Sequence, residues 1–386
     1  MKSFTATSLA LLALFLSVYG TPTPSTLIKA SGPVKPDSYI VVLKANVNQA
    51  NHLSSLAGIA TQDAAAYQEV THLYDTAFFN GYAGILRGAA LDHVLNSKDV
   101  DFVEQDSIAS IKHDDRDESF SAEILDGRDL VETQGTTGGY GVDVYGIDTG
   151  VYTGHVAFTG RVSWGATFGG YASKDGNGHG THTMATAIGT KYGFATRAKG
   201  IAIKVLSDAG SGWTSDVISG VNFAYVRARA SRRPSVVNMS LGGGLSTALN
   251  AAVSNAISGG LHFTIAAGNS NVDARITSPA SVSTANTVGA IDSKNAKAYF
   301  SNYGAILDVW APGVSILSAY IGAPTATAVL SGTSMAAPYV AGIIAVVLGE
   351  YGSVTPATMS SNLKLHAKKV VTGAPLGTTT LKATLW

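Results

Sequence analysis

The sequence predicts an α/β protein: a parallel sheet covered by helices on both faces, preceded by a small α+β domain. Three observations predict it. From about residue 142 onward, short and almost wholly apolar runs alternate with helical stretches, the pattern of strands buried on both faces. Between residues 38 and 111 the runs order instead as β-α-β-β-α-β, the signature of a ferredoxin-like split βαβ unit. Between the two lies a run of charge, Lys112-His113-Asp114-Asp115-Arg116-Asp117-Glu118, with the composition of an exposed linker and a processing site.

The chain begins Met1-Lys2, then has an apolar core over 9–18, then Tyr19-Gly20. That layout reads as a secretory signal cleaved after Gly20, so a secreted, extracellular product is expected. The apolar core falls short of the ~20 residues a membrane-spanning helix needs. Residues 21–36, rich in Pro, Ser and Thr, read as a linker. The small domain follows: a strand over 38–43, a helix over 49–65, a strand-like pair over 77–86, a short helix over 90–96 and a strand over 100–111.

In the larger part, strands are expected over 142–147, 200–206, 235–240 and 261–267. Helices are expected after His179 and over 215–230 and 247–259. The apolar run 335–349 contains Pro338 and reads as a helix buried inside the protein. Ligands of such sheets gather beyond the carboxyl ends of the strands. Asp148 ends one strand and Asn269 follows another.

Composition narrows the function. A length of 386 residues suits one large domain plus a smaller one, and 13% charged residues with 43 glycines suit a rigid, loop-rich globular protein. A formal net charge of zero gives no reason to expect a nucleic-acid or membrane partner. The chain has no cysteine, which excludes a thiol nucleophile and a cysteine-ligated zinc site.

Three segments carry chemistry. Gly332-Thr333-Ser334-Met335-Ala336-Ala337-Pro338 places a serine at the mouth of a buried helix, among unpaired N–H groups that suit a developing oxyanion. Tyr145-Gly146-Ile147-Asp148-Thr149-Gly150 places a carboxylate at a strand tip. Asp-Thr-Gly also marks aspartic proteases, but that mechanism needs a second carboxylate, and the chain has no second Asp-Thr-Gly or Asp-Ser-Gly. Asp175-Gly176-Asn177-Gly178-His179-Gly180-Thr181-His182 places a histidine before a helix. The zinc-protease motif would need a glutamate between the histidines, so His179 reads as a general base and His182 as a packed structural residue. Asn269, in Ala266-Ala267-Gly268-Asn269, could cap a turn or donate to an oxyanion.

In the order Asp…His…Ser these segments resemble the subtilisin-like serine proteases, most closely the fungal, proteinase K-like branch. Lys204-Val205-Leu206, Asn238-Met239-Ser240-Leu241-Gly242-Gly243-Gly244, Ser301-Asn302-Tyr303-Gly304 and Ala311-Pro312-Gly313 extend the resemblance. Residues 38–111, ending in Val103-Glu104-Gln105-Asp106, resemble the family's inhibitory propeptide. The resemblance implies a three-layer parallel-sheet catalytic domain over 113–386 and a propeptide over 21–112, cut by the enzyme itself near Lys112–His113. It implies Ser334 as nucleophile, His179 as base, Asp148 as its orienting carboxylate and Asn269 as oxyanion donor. Substrate would pair as a strand between Gly210-Ser211-Gly212 and Ser240-Leu241-Gly242, with Ala266-Ala267-Gly268 lining a pocket for an apolar or aromatic side chain. The chemistry needs no cofactor. A structural Ca²⁺ is implied at Asp308 with the carbonyls of Ser283 and Ala285. The expected partners are protein or peptide substrates and the chain's own propeptide, and the expected state is a monomer.

The chain departs from the family pattern after His182. Thr183-Met184-Ala185 stands where Val-Ala-Gly is usual, and Ile188 replaces another glycine. Larger side chains there would crowd the helix that carries His179, and a catalytically silent binding or decoy protein on the same fold is the alternative this raises. Asn238-Met239-Ser240 matches a glycosylation sequon but falls in a buried strand, so it is expected to be unmodified.

Overall fold

The computed structural model describes residues 25–62, 67–111 and 137–386. The expected signal segment, the Lys112–His113 bond and the charged run after it lie outside those residues.

The N-terminal domain runs β1 (Thr26–Ile28), β2 (Val34–Leu43), α1 (Gln49–Gln62), β3 (Tyr67–Leu73), β4 (Gly81–Arg87), α2 (Ala89–Leu95) and β5 (Val100–Ser110). β5, β2, β4 and β3 form an antiparallel sheet in that order. Its core is Val41, Leu43, Leu56, Tyr82, Leu86, Val94 and Val103. Two expectations are corrected. Part of the 21–36 linker is strand: Thr26–Ile28 lies parallel to Phe102–Glu104, satisfying backbone groups that β5 would otherwise leave unpaired. The strand pair expected over 77–86 is β3 and β4 with a turn between. Phe78 and Phe79, which precede β4, are buried against the larger domain, with Phe78 5.3 Å from the Tyr225 ring.

The larger domain contains β6 (Asp143–Asp148), β7 (Val162–Thr167), α3 (His179–Ile188), β8 (Lys199–Lys204), β9 (Ser211–Trp213), α4 (Thr214–Ser231), β10 (Ser235–Met239), β11 (Gly242–Gly244), α5 (Thr247–Ser258), β12 (His262–Ala266) and β13 (Thr277–Ser278). It continues with β14 (Asn286–Ile291), β15 (Val309–Pro312), β16 (Ile316–Ala319), β17 (Thr327–Leu330), α6 (Thr333–Tyr351), α7 (Pro356–His366), β18 (Lys368–Lys369) and β19 (Leu381–Lys382). Parallel strands lie in the order β7-β8-β6-β10-β12-β14-β15, extended by β19 and an antiparallel β18.

Side chains alternate across this sheet, as the period of two requires. On β6, Val144 joins the layer under α3 and α6, while Tyr145 and Ile147 join the layer under α4 and α5. The helix α6 is long and apolar enough to cross a membrane, but it is buried in the first of these layers. It approaches α3 closely at Gly342, where a Cβ would lie 2.7 Å from the Ala187 carbonyl oxygen.

The strand order places the site. The chain leaves β6 toward β7 and β8, then crosses to β10 on its other side. That reversal opens a crevice beyond the carboxyl ends of β6 and β10, where open α/β sheets hold ligands.

Candidate active site

Asp148 closes β6 and His179 opens α3. His179 Nδ1 lies 2.8 and 3.0 Å from the two Asp148 oxygens, and both residues are buried. The carboxylate also accepts from the Thr149 N–H at 2.7 Å and the Thr183 hydroxyl at 3.3 Å. A carboxylate on Nδ1 fixes that nitrogen as the N–H, leaving Nε2 basic. Nε2 is buried and has no hydrogen-bond partner among the described residues.

The turn before α3 is held by Asp175, whose role sequence reasoning missed. Its Oδ1 accepts from Thr149 Oγ1 (3.0 Å), Asn177 N (3.1 Å) and Gly178 N (2.8 Å). Its Oδ2 accepts from Thr181 N (3.0 Å) and Thr181 Oγ1 (2.6 Å). Thr149 in turn accepts from Gly180 N. One buried carboxylate thus ties the strand end bearing Asp148 to the helix start bearing His179. The signal was present in the sequence as an acidic residue just before a helix.

Ser334 sits in the first turn of α6. Pro338 has no N–H to donate four residues back, so the Ser334 carbonyl is left for a side chain. Ser240 Oγ takes it at 2.8 Å, and Ser334 Oγ donates to the Ser240 carbonyl at 3.2 Å. The proline thereby lets the end of β10 grip the start of α6. Asn269 accepts at Oδ1 from Thr333 N (2.9 Å) and Thr333 Oγ1 (2.8 Å). A backbone N–H can only donate, so the oxygen faces Thr333 and the amide nitrogen points away. Asn302 braces this loop: it donates to the Ala267 carbonyl and accepts from Ser270 N and Val272 N. Gly268 has φ +104, and a Cβ there would lie 2.4 Å from Asn302 Nδ2. Thr333 and Asn302 stood inside quoted motifs, but their tasks required the loop geometry.

The groove beside Ser334 is filled by the chain itself. The end of β5 lies antiparallel to β9, with Ala109 opposite Gly212 and Ser110 opposite Ser211. On its other side Ser110 faces Gly242 and Ala109 faces Gly243. Ile111 N donates to the Gly210 carbonyl at 2.9 Å. The end of β5 shares Gly242 with the substrate-pairing segment expected at Ser240–Gly242 and also pairs with Gly243, while the Ser240 carbonyl accepts from Ser334 Oγ. Ser240, Leu241, Ala266, Ala267 and Gly268 line one slot together with Ser334. Two carboxylates of β5 cap helices of the larger domain. Glu104 accepts from Ser246 Oγ and from Ala248 N (3.0 Å) at the start of α5. Asp106 accepts from Ser215 N (3.0 Å) and Oγ (2.7 Å) at the start of α4. Burial pushes the pKa of both upward, and these hydrogen bonds oppose the rise.

The subtilase family model matches residues 139–380, and the peptidase inhibitor I9 model matches residues 38–112. The chain belongs to the subtilase family. It is 38% identical to a subtilisin-like serine protease of Cochliobolus lunatus, over 88% of this chain and 78% of the relative. It is 39% identical to a cuticle-degrading serine protease of Arthrobotrys oligospora, over 86% of each. A solved cold-adapted subtilisin-like serine proteinase matches at 42% identity and a TM-score of 0.61, over 65% of this chain and 92% of that one. This subtilase is therefore a serine endopeptidase carrying an N-terminal I9 propeptide domain.

The unusual helix of this subtilase is accommodated by glycines elsewhere. A Cβ on Gly200 of β8 would lie 2.8 Å from Ile188 Cδ1 and 3.0 Å from Met184 Sδ, and one on Gly146 of β6 would lie 2.9 Å from Met184 Cε. The bulk added to α3 occupies space that two sheet glycines leave open. His182 donates from Nε2 to the Ile316 and Ala328 carbonyls, and burial drives its pKa down to about 3, so it is neutral and structural. Asn238, of the sequon, is buried, donating to Ser240 Oγ and accepting from Thr264 Oγ1.

Both carboxylate oxygens of Asp308, expected to hold Ca²⁺, are engaged by protein groups. Asp308 Oδ2 accepts from Thr287 N at 2.9 Å, and Oδ1 is taken by Lys364 Nζ at 2.9 Å. Ser283 is exposed and Ala285 is buried. Among the described residues no group of three or more His, Cys, Asp or Glu could hold a metal. Burial raises the Asp308 pKa, with the Thr287 and Lys364 contacts opposing.

Proposed function

We propose that this subtilase is a secreted, self-processing endopeptidase whose acyl transfer runs on Ser334, His179 and Asp148, without a cofactor. The observation that carries the reading is the buried Asp148–His179 pair, with a basic Nε2, in the same crevice as Ser334.

A peptide bound as the end of β5 is bound would bring backbone N–H groups toward the Ser240 carbonyl. The Ser334 hydroxyl, which donates there in this state, is then displaced toward Nε2. Catalytic hydrogen bonds often tighten only once substrate is bound. Ser334 Oγ bonds to the scissile carbonyl carbon as its proton passes to Nε2. The oxyanion is met by the Asn269 amide nitrogen and the Ser334 backbone N–H. Nε2 then protonates the leaving amine as the C–N bond breaks, and water repeats the sequence on the acyl-enzyme. Asp148 orients the ring and stabilises its cation. Small residues at Ala266, Ala267 and Gly268 favour an apolar or aromatic side chain before the cleaved bond. The enzyme acts as a monomer on protein substrates, with no nucleic-acid or membrane partner.

Ser334→Ala, expressed through the secretion route, tests this. It should accumulate as uncut precursor, while mature wild type should take up a serine-directed phosphonate on Ser334. Normal maturation of the variant without another protease, or no adduct on the wild type, overturns the reading.

A further inference from the structure

We infer that the cation serving Asp308 is the chain's own Lys364, in place of a bound divalent ion. Asp308 stands immediately before β15, with its side chain only 13% exposed, and its Oδ2 is held by the Thr287 N–H of β14. A carboxylate withdrawn from water in this way needs a positive partner. Lys364 of α7 supplies one, its ammonium 2.9 Å from Oδ1. The neighbouring residues Met359 and Leu363 anchor α7 in the core, so the lysine stem is carried to the site by a fixed helix.

Lysine and Ca²⁺ exclude one another here. Ca²⁺ seeks six to eight oxygen ligands at about 2.3–2.6 Å and would have to share Oδ1 with the ammonium. Among the described residues no pair of His, Cys, Asp or Glu residues joins Asp308 in a group that could hold a metal, and Asp308 is the carboxylate paired with Lys364. From residue 351 to residue 386 the sequence has four lysines and no Asp or Glu, so this stretch brings cations and no further side-chain carboxylate. The Asp308–Lys364 contact ties α7 to the strands β14 and β15, the task a structural ion would otherwise perform. The inference is independent of the catalytic reading.

The test uses the full chain with Ser334→Ala, to suppress self-digestion, and follows thermal unfolding in about 5 mM CaCl₂ and about 5 mM EGTA. The parent midpoint should differ by less than about 1 °C between the two. Adding Lys364→Met should lower the midpoint in EGTA by about 3–8 °C, the shift expected for loss of a partner to a buried charge. Ca²⁺ should restore at least half of that loss. Lys364→Arg should keep the parent's indifference to the chelator, which covers the case in which Lys364→Met does not fold. Three results overturn the inference: a calcium-dependent rise in the parent that vanishes with Asp308→Asn, a Lys364→Met chain as stable as the parent in EGTA, or a Lys364→Met chain that Ca²⁺ does not restore.

Discussion

Asp175 touches no substrate position, yet it should control the reaction through His179. In Asp175→Asn one of two acceptor oxygens becomes an N–H₂ group. The three donors at Oδ1 outnumber the two at Oδ2, so the amide oxygen takes the Oδ1 side and the N–H₂ faces Thr181. The Thr181 hydroxyl can rotate and accept, but its backbone N–H cannot. That leaves one buried N–H unpaired, costing about 1–3 kcal/mol, and the remaining bonds lose their charge assistance. A total near 3 kcal/mol corresponds to a fall of roughly 6–12 °C in unfolding midpoint for a domain of this size. The catalytic effect should be larger in proportion. A shift of the α3 start by about 1 Å costs on the order of 10²-fold in rate. The β9 and β11 groove is untouched, so the loss should appear in kcat, with KM within about threefold. Steady-state kinetics on a chromogenic peptide, with unfolding followed in parallel, reads both quantities. A variant with kcat within threefold of wild type and an unchanged midpoint refutes the account of the Asp175 network.

Two further outcomes follow from buried titratable groups. Glu104→Ala and Asp106→Ala should each weaken inhibition by the propeptide about 10–100-fold, measured as Ki on the mature enzyme, because each removes charge-assisted hydrogen bonds to a helix start of the larger domain. His182 and His262 are pushed by burial to about 3 and about 4, against an unfolded value of 6.5. The unfolded chain then binds more protons below pH 6.5, so stability is full above that pH and falls on acidification, by about 3 kcal/mol for each at pH 4; an unfolding midpoint unchanged between pH 7 and 4 in blocked enzyme contradicts this.

The architecture was legible because buried parallel strands write continuous apolar runs, and because Asp148, His179 and Ser334 sit in glycine-rich segments with their own signatures. The mutual placement of the segments was legible only through family resemblance. The supporting contacts were not, for a physical reason: each joins residues far apart in sequence whose encounter depends on strand register. Thr333 and Asn269 meet because α6 begins beside the end of β12. Gly146 and Gly200 make room for Met184 and Ile188 because β6 and β8 are neighbours under α3. Read along the chain, the two large residues suggested a crowded helix; read across the sheet, they fill a gap. The ion pair of Asp308 was hidden in the same way. Asp308 suits an ion by its local pattern, and Lys364, over fifty residues later, is invisible to that pattern.

What separates an inhibitor from a substrate in this groove also follows from register. β9 leads directly into α4, and β11 leads within three residues into α5. The two strands that flank the bound segment are therefore continuous with the two helices whose starts are capped. Along β5, Glu104 and Asp106 are two residues apart and share a face, while Ala109 and Ser110 lie in the groove. One register satisfies the groove and both caps together; a slip by one residue would turn both carboxylates to the opposite face. A substrate peptide can make the groove contacts alone. The propeptide adds two charge-assisted helix caps and the docking of Phe78 and Phe79 beside Tyr225, so cleavage of its connection to the enzyme leaves most of its contacts intact. On the self-processing reading proposed above, latency after cleavage would rest on β5 and the turn after β3, and ending it would require that this domain be unfolded or digested.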